Sequence, residues 1–170
     1  MGRSSPLRRS RSTSRIGQYS PLLIVCLSPH VGEAASLLAA SERLAALRSG
    51  RESSDGDGAL DGVELHEESA ASARSLLSEA SAPVRVLAAD FFTVEPTASY
   101  DAVIGNPPYV RYQDFGGDSR SLSRAAALRA GVPLSGLASS WAAFTVHAAL
   151  FLKKGGRLGL VLPAELLSVN

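Results

Sequence analysis

Five short apolar runs, separated by segments with helical periodicity, constrain the fold of this chain more than any other feature. The runs lie at about residues 21–28, 59–66, 83–89, 100–105 and 157–162. Such runs are typical of strands that are buried on both faces of a parallel sheet. The intervening segments predict helices at about 33–48, 67–80 and 140–154, with further helical content at 122–130. Strands that alternate with helices predict an α/β fold with a mostly parallel sheet and helices on both faces.

The helix predicted at 140–154 has a strong apolar face, formed by Trp141, Phe144, Ala148, Phe151 and Leu152. Lys153 and Lys154 follow this face, where positive charges complement the negative end of the helix dipole. Gly155 suits the position just beyond the last helical residue. We therefore expect the helix to end at Lys154 and the next strand to begin at 157.

Length and composition indicate one folded domain with a charged tail. A chain of 170 residues with 45% hydrophobic residues can bury a core. The net charge is +1, but residues 1–20 contain five arginines and no acid, which leaves −4 for residues 21–170. We predict a disordered Ser/Arg-rich tail at 1–20. Three interpretations of it stay open: a DNA-contacting arm, upstream sequence from a mis-set start, and a transit peptide. We prefer the interpretations in which the tail does not bind DNA.

Cysteine and histidine usage restricts the chemistry. The one cysteine, Cys26, excludes an internal disulfide framework and fits a reducing cytosol, so we expect a cytoplasmic protein. The apolar run around it is too short to span a bilayer. His30, His66 and His147 are scattered without the spacing of metal ligands, so no metal site is expected.

The apolar run at 101–105 ends in Asn106-Pro107-Pro108-Tyr109, where a predicted strand meets a loop. In α/β folds, ligands bind just beyond the carboxyl ends of the strands. The Asn106 amide oxygen and a carbonyl at the Pro-Pro step can accept hydrogen bonds from an exocyclic amino group, and Tyr109 can stack on the ring that carries it. The prolines restrict the backbone, so the acceptors are held in place before a substrate arrives. The structural alternative is a Pro-rich turn in which Tyr109 is ordinary packing.

The string from Asp101 to Gln113 resembles the adenine-specific DNA methyltransferases of restriction-modification systems. These enzymes use S-adenosylmethionine and share the motif [DNS]-P-P-[YFW], and the continuation at 110–113 favours this branch. The resemblance implies that Asn106 and the Pro107 carbonyl hold the adenine amino group and that Tyr109 stacks on the flipped base. The candidate catalytic residues are therefore Asn106, Pro107, Pro108 and Tyr109.

The resemblance also carries expectations for the whole chain. It implies the Rossmann-like fold of S-adenosylmethionine-dependent methyltransferases, whose sheet has seven strands by family pattern. Five strands are predicted here, so we expect residues 21–170 to be a partial catalytic domain, incomplete at the C-terminus. The last strands and the target-recognition domain would be missing. The implied partners are duplex DNA with a flipped adenine and a separate specificity or endonuclease component, and no membrane is involved.

Two upstream segments resemble the family's cofactor motifs. Glu64 matches the acid that binds the ribose hydroxyls at the end of the second strand. Asp90 and Phe91 match the pair that contacts the cofactor adenine, in which the acid accepts from the amino group and the Phe packs on the ring. The structural alternatives are a surface acid for Glu64, and a helix N-cap followed by a core Phe for Asp90 and Phe91.

The first cofactor segment, residues 28–38, departs from the family pattern D-P-x-x-G-[ST]-G-x-[FL]-L. Pro29 and Gly32 match it and are expected to contact the cofactor, whereas the pattern is broken at Ser28, Glu33 and Ala34. Glycines in such loops let the backbone approach the ligand. Glu33 would repel the methionyl carboxylate of S-adenosylmethionine, since like charges at close range disfavour each other. We therefore expect weakened cofactor affinity.

Two other functional classes remain open from the sequence. Release-factor methyltransferases, which methylate a glutamine amide in a protein, also carry this tetrapeptide, and methyltransferases of RNA amino groups are a nearby variant. The second class is an inactive remnant of a DNA methylase, favoured by the altered segment at 28–38 and the expected missing strands.

Overall fold

A computed structural model describes residues 23–26, 34–48, 59–107, 117–134, 140–162 and 164 of the chain. The strands are β1 (Leu23–Cys26), β2 (Leu60–Glu64), β3 (Val84–Ala88), β4 (Tyr100–Gly105) and β5 (Leu152–Leu160). The helices are α1 (Ala34–Arg48), α2 (Glu67–Leu76), α3 (Gly117–Arg129) and α4 (Ser140–Ala149). A 3-10 turn at Phe91–Thr93 follows β3. The tail predicted at 1–20 lies outside the described residues.

The five strands form a parallel sheet with the order β3-β2-β1-β4-β5. The chain first builds outward from β1 through β2 to β3, and it then crosses to the other side of β1 for β4 and β5. The direction of winding therefore reverses between β1 and β4. In open α/β sheets, the crevice at such a reversal is where ligands bind. The predicted α/β class with a parallel sheet is confirmed.

Two apolar cores lie on opposite faces of this sheet, because side chains alternate between the faces along each strand. On β2, Leu60 belongs to one core and Val63 to the other. The first core combines residues of α1, α2, β2 and the segment before β3, namely Leu37, Leu44, Leu60, Ala73, Leu77 and Ala82. The second core is rich in aromatic rings and includes Phe91, Phe92, Tyr100, Val103, Phe144 and Phe151. Helices therefore contribute apolar side chains on both faces.

Strand β2 is buried at every position although its sequence contains two acids. Asp61, which is 4% exposed, accepts hydrogen bonds from Arg85 Nε at 2.7 Å and Nη2 at 3.0 Å. The Tyr100 hydroxyl donates to the same carboxylate at 2.8 Å. A buried charge needs such partners to offset its lost hydration. At Gly62, a Cβ atom would lie 2.8 Å from Leu37 Cδ1, so the glycine lets α1 pack closely on β2.

The end of α4 differs from the sequence prediction. The helix ends at Ala149, and β5 already begins at Leu152, so the helix expected to reach Lys154 was wrong by five residues. Phe151 is still a core residue, but it lies in the intervening turn, where its carbonyl accepts from Tyr100 N at 2.9 Å. Lys153 forms an ion pair with Asp101 of β4 instead of complementing a helix dipole. Pairing with β4 therefore determines where the helix stops.

Among the described residues, no helix is both long and apolar enough to cross a membrane.

Candidate active site at the carboxyl edge of the sheet

The register of the parallel sheet brings several predicted site residues to one edge. Cys26 on β1 pairs with Val63 on β2 and with Gly105 on β4. One residue further along, Glu64 ends β2 and Asn106 follows β4. Because neighbouring strands are about 4.8 Å apart, the backbones of these two residues are separated by about 10 Å across β1. The carboxylate and the amide therefore flank the point where the winding reverses.

Asn106 is the first residue of the candidate catalytic loop, and it follows a strand end that is paired on both sides. Gly105 pairs with Cys26 on one side and with Leu160 on the other, and its carbonyl accepts from Val161 N at 3.0 Å. Asn106 itself is half-buried, and Pro107 is among the fully buried side chains. The backbone that carries the amide is thus held by two neighbouring strands and by a buried proline ring.

Glu64 is a buried carboxylate at the end of β2, with 2% exposure. Its Oε1 accepts from the backbone N–H of His66 at 3.0 Å, and its carbonyl accepts from Ala89 N at 2.8 Å. His66 is the residue before α2, and its own side chain makes no capping hydrogen bond. Glu64 therefore orders the connection from β2 to α2. The surface acid considered as the alternative is not observed.

Asp90 lies two residues beyond β3 and caps the 3-10 turn. Its Oδ1 accepts from Phe92 N at 2.9 Å, and its carbonyl accepts from Thr93 Oγ1 at 2.7 Å. These bonds orient the carboxylate relative to the turn, since an acceptor at this position satisfies an otherwise unpaired N–H group. The carboxylate is an acceptor of the kind that a cofactor amino group requires.

Phe91, the partner of Asp90 in the predicted cofactor pair, is 7% exposed and lies in the aromatic core. Its ring stacks on Phe151 at 5.3 Å between centroids and contacts Phe144 at 4.7 Å. The structural interpretation of the pair, a capping acid followed by a core Phe, is therefore observed. The contact of Asp90 and Phe91 with a cofactor adenine stays a prediction.

Sequence reasoning missed two features of this edge. Leu65 directly follows Glu64 and is 51% exposed, so an exposed apolar side chain comes directly after the end of β2. His147 of α4 is fully buried, and its Nε2 lies 3.0 Å from the Phe91 carbonyl. Burial is the main cause that lowers the pKa of His147 below its ordinary value of 6.5, and the positive charge of Arg129 acts in the same direction. The backbone of Phe91 and Val94 and the negative charge of Glu95 act in the opposite direction without reversing the shift. Only its exposure distinguishes Leu65 from other leucines, and only its tertiary contacts distinguish His147 from the other histidines.

Four predicted site residues, Pro29, Gly32, Pro108 and Tyr109, lie outside the described residues, as do Ser28 and Glu33. Ala34, the third substituted position, is the first residue of α1 and packs against the core beneath α1 and α2. The structure thus brings Glu64, Asp90, Asn106 and Pro107 to one edge of the sheet.

Parallel strands, a reversal of winding and polar side chains along the carboxyl edge are typical of α/β domains that bind ligands. The sequence profile of the Eco57I restriction-modification methylase family matches residues 53–170. The chain is also 31% identical to the Type II methyltransferase M.XamI of Xanthomonas campestris pv. amaranthicola, over 98% of this chain and 30% of that protein. The chain therefore belongs to the Eco57I restriction-modification methylase family, which confirms the predicted resemblance to methyltransferases of restriction-modification systems. It spans about 30% of the length of this relative.

Proposed function

We propose that this chain is part of a DNA methyltransferase that transfers a methyl group from S-adenosylmethionine to the exocyclic amino group of adenine. The observation that carries the proposal is the position of Asn106, directly beyond β4 at the reversal of winding and on the same edge as Glu64 and Asp90. Family membership favours DNA over a protein glutamine or RNA as the substrate. The Rossmann-like methyltransferase fold, a cytoplasmic location and a separate specificity or endonuclease partner belong to the same proposal.

The residues present fit the cofactor by their chemistry. A carboxylate at Glu64 can accept from two neighbouring ribose hydroxyls, and Asp90 can accept from an adenine amino group. Leu65, the next residue in the sequence, adds an exposed apolar side chain. S-adenosylmethionine supplies an electrophilic methyl group on a sulfonium centre. Pro29 and Gly32 belong to the same proposed site by their match to the family pattern.

On the substrate side, the proposed role of Asn106 is to orient the attacking nitrogen. The amide oxygen and the Pro107 carbonyl accept hydrogen bonds from the adenine amino group, which favours a tetrahedral nitrogen with an available lone pair. The same two dipoles stabilise the positive charge that develops on this nitrogen during displacement. By their match to the family motif, Tyr109 is proposed to stack on the flipped base and Pro108 to contribute to the same loop. Positioning supplies most of the rate enhancement in this mechanism.

A methyl-transfer assay with labelled S-adenosylmethionine and unmethylated DNA tests the proposal. We expect the wild-type chain to incorporate label and Asn106→Ala to lose about a hundredfold in rate, since removal of one preorganised group has an effect of this size. Asn106→Asp is the matched variant, because it keeps an acceptor that the family motif allows, and we expect it to retain more activity than Asn106→Ala.

Equal incorporation by wild type and Asn106→Ala would contradict the role of Asn106. Digestion of the product to nucleosides and mass spectrometry identifies the methylated base. Methylated cytosine would overturn adenine as the substrate, and label found only with RNA or a glutamine-containing protein would overturn DNA. Absence of incorporation with every substrate would support the inactive remnant.

We further propose that the substitutions at Ser28, Glu33 and Ala34 weaken cofactor affinity. Glu33→Ser and Ala34→Gly restore residue types of the family pattern, so we expect each to tighten S-adenosylmethionine binding measured by calorimetry. The Glu33 effect should shrink at high salt, because screening reduces charge repulsion. Ordinary micromolar binding by the wild-type chain would contradict this proposal.

A further inference from the structure

The turn that follows Asp90 is held by side chains from two distant helices. The Phe91 carbonyl lies 3.0 Å from His147 Nε2 of α4, and the Phe92 carbonyl accepts from Arg129 Nη2 of α3 at 3.2 Å. These donors lie 56 and 37 residues further along the chain. The two carbonyls are the first and second beyond Asp90, so α3 and α4 together determine the path of the backbone there.

The hydrogen bond to Phe91 identifies the form of His147. A carbonyl only accepts, so Nε2 carries the hydrogen and donates it. Burial lowers the pKa of this imidazole, which agrees with a neutral ring whose Nδ1 carries no hydrogen. Nδ1 is buried and has no hydrogen-bond partner in the part of the chain that the structure describes. His147 is therefore a neutral donor with one unsatisfied acceptor.

Core stability alone does not explain why position 147 holds a histidine and not an apolar residue. The Phe91 carbonyl also accepts from Val94 N at 3.1 Å, so it would keep one partner without His147. The unpartnered Nδ1 is itself unfavourable, because a buried acceptor without a donor loses its hydration. An apolar side chain of similar volume would fill the space among Phe91, Phe92 and Phe151 without this penalty. What such a side chain would not supply is a fixed contact with the turn.

We propose that His147 is a positioning residue for the Asp90 carboxylate, with Arg129 in the same role from α3. This inference rests on the proposed function, in which Asp90 accepts from the cofactor adenine. The Asp90 carboxylate is tied to the turn through Phe92 N at 2.9 Å, so its direction follows the backbone that the two donors hold. Small displacements of a binding group weaken its contacts, and buried partners of this kind prevent them.

The inference also connects the two halves of the proposed site. Arg129 is the last residue of α3, the helix that follows the candidate catalytic loop beginning at Asn106. Phe92, which receives its hydrogen bond, belongs to the turn beside the cofactor acid. The Arg129 side chain therefore connects α3, which follows the candidate catalytic loop, to the turn after Asp90. This bond adds to the packing of α3 on the same turn.

Two substitutions of His147 separate the donor from the volume it fills. His147→Gln keeps an N–H group near the position of Nε2, whereas His147→Met fills the space and removes the donor. We expect His147→Met to raise the hydrogen-exchange rate of the Phe92 amide about tenfold and to weaken S-adenosylmethionine binding by about the same factor, the effect of losing one hydrogen bond. His147→Gln should stay within about threefold of wild type in both measurements, which corresponds to less than one such bond.

Leu77→Ala is the matched control, because it removes a buried side chain from the core under α1 and α2 and does not touch the turn. It should lower the temperature of unfolding while leaving cofactor affinity unchanged at temperatures where the chain is folded. Arg129→Lys and Arg129→Met repeat the comparison from α3, and we expect a smaller effect because the 3.2 Å bond is longer and partly exposed.

The Asp90→Asn variant distinguishes failure of this inference from failure of the proposed function. The amide keeps the oxygen that caps Phe92 and replaces the other carboxylate oxygen with a donor. If Asp90→Asn leaves cofactor affinity unchanged, or if the wild-type chain binds no cofactor, the role of Asp90 is overturned. If Asp90→Asn weakens binding and His147→Met does not, the positioning role is overturned. Unchanged Phe92 exchange in His147→Met overturns it as well.

Discussion

Removal of the Tyr100 hydroxyl tests how firmly β2 and β4 are joined across β1. The hydroxyl donates to the Asp61 carboxylate at 2.8 Å, and both residues are buried. Tyr100→Phe keeps the ring, whose centroid lies 6.0 Å from that of Phe151, so the packing of the aromatic core is preserved. The substitution therefore removes the hydrogen bond that the hydroxyl donates to a charged acceptor and keeps the ring.

The expected loss is about 2 kcal/mol in the free energy of unfolding, the middle of the range for hydrogen bonds to charged groups. The bidentate contact with Arg85 remains in the variant, so the buried carboxylate of Asp61 is not left without a partner. For this reason the loss should not approach the roughly 3–5 kcal/mol that breaking a buried ion pair produces. A loss of this size lowers the melting temperature by roughly 4–8 °C in a domain of this length.

Urea denaturation of wild type and Tyr100→Phe measures this loss, and an unchanged dependence on urea shows that the same surface unfolds. A double-mutant cycle with Asp61→Asn supplies the control. In the Asp61→Asn background the acceptor is neutral, so removal of the hydroxyl should cost only about 1 kcal/mol. A loss below about 0.5 kcal/mol for Tyr100→Phe in the wild-type background would refute the reasoning, because it is typical of an exposed site.

Two further predictions concern pH and packing. His147 has a lowered pKa through burial, so the unfolded chain takes up a proton below about pH 6.5 that the folded chain does not. The free energy of unfolding should therefore decrease as the pH is lowered through that range, by up to about 1.4 kcal/mol per pH unit. This slope should be smaller in His147→Gln. Parallel curves for the two proteins, from urea titrations between pH 7.5 and 5.5, would contradict the prediction. Gly62→Ala should cost about 1–3 kcal/mol, because its Cβ would lie 2.8 Å from Leu37 Cδ1. Thermal unfolding should show that Leu37→Ala and Gly62→Ala together cost less than their sum, whereas additivity would contradict a direct clash.

The positions of the candidate site residues followed from local patterns to a large extent. Asn106 and Asp90 follow apolar runs and Glu64 lies near the end of another, so their placement at or just beyond strand ends could be predicted from the sequence. Their arrangement along one edge requires the strand order and the register, which bring Val63, Cys26 and Gly105 into one row. These pairings join residues far apart in the sequence, and no local pattern encodes them.

The error at the end of α4 shows the limit of periodicity. Phe151 and Leu152 continue the apolar spacing of the helix, and Gly155 resembles a helix terminator, so the sequence favours a helix that reaches Lys154. In the fold, Leu152 pairs with Tyr100 and begins β5. An open edge on β4 offers backbone hydrogen bonds to this segment, and tertiary pairing overrides a weak local preference. Phe151 keeps its predicted place in the core although it is not helical.

The sequence by itself determined the α/β class, the parallel sheet and the family, because apolar runs and the tetrapeptide at 106–109 are local signals. Only the tertiary structure showed which distant residues contact the turn beside Asp90. Phe91 resembles a cofactor contact in the sequence but is buried in the aromatic core, while the scattered His147 reaches its carbonyl from α4. The physical reason is that burial and hydrogen bonding depend on which surfaces meet in three dimensions, and those surfaces come from segments dozens of residues apart.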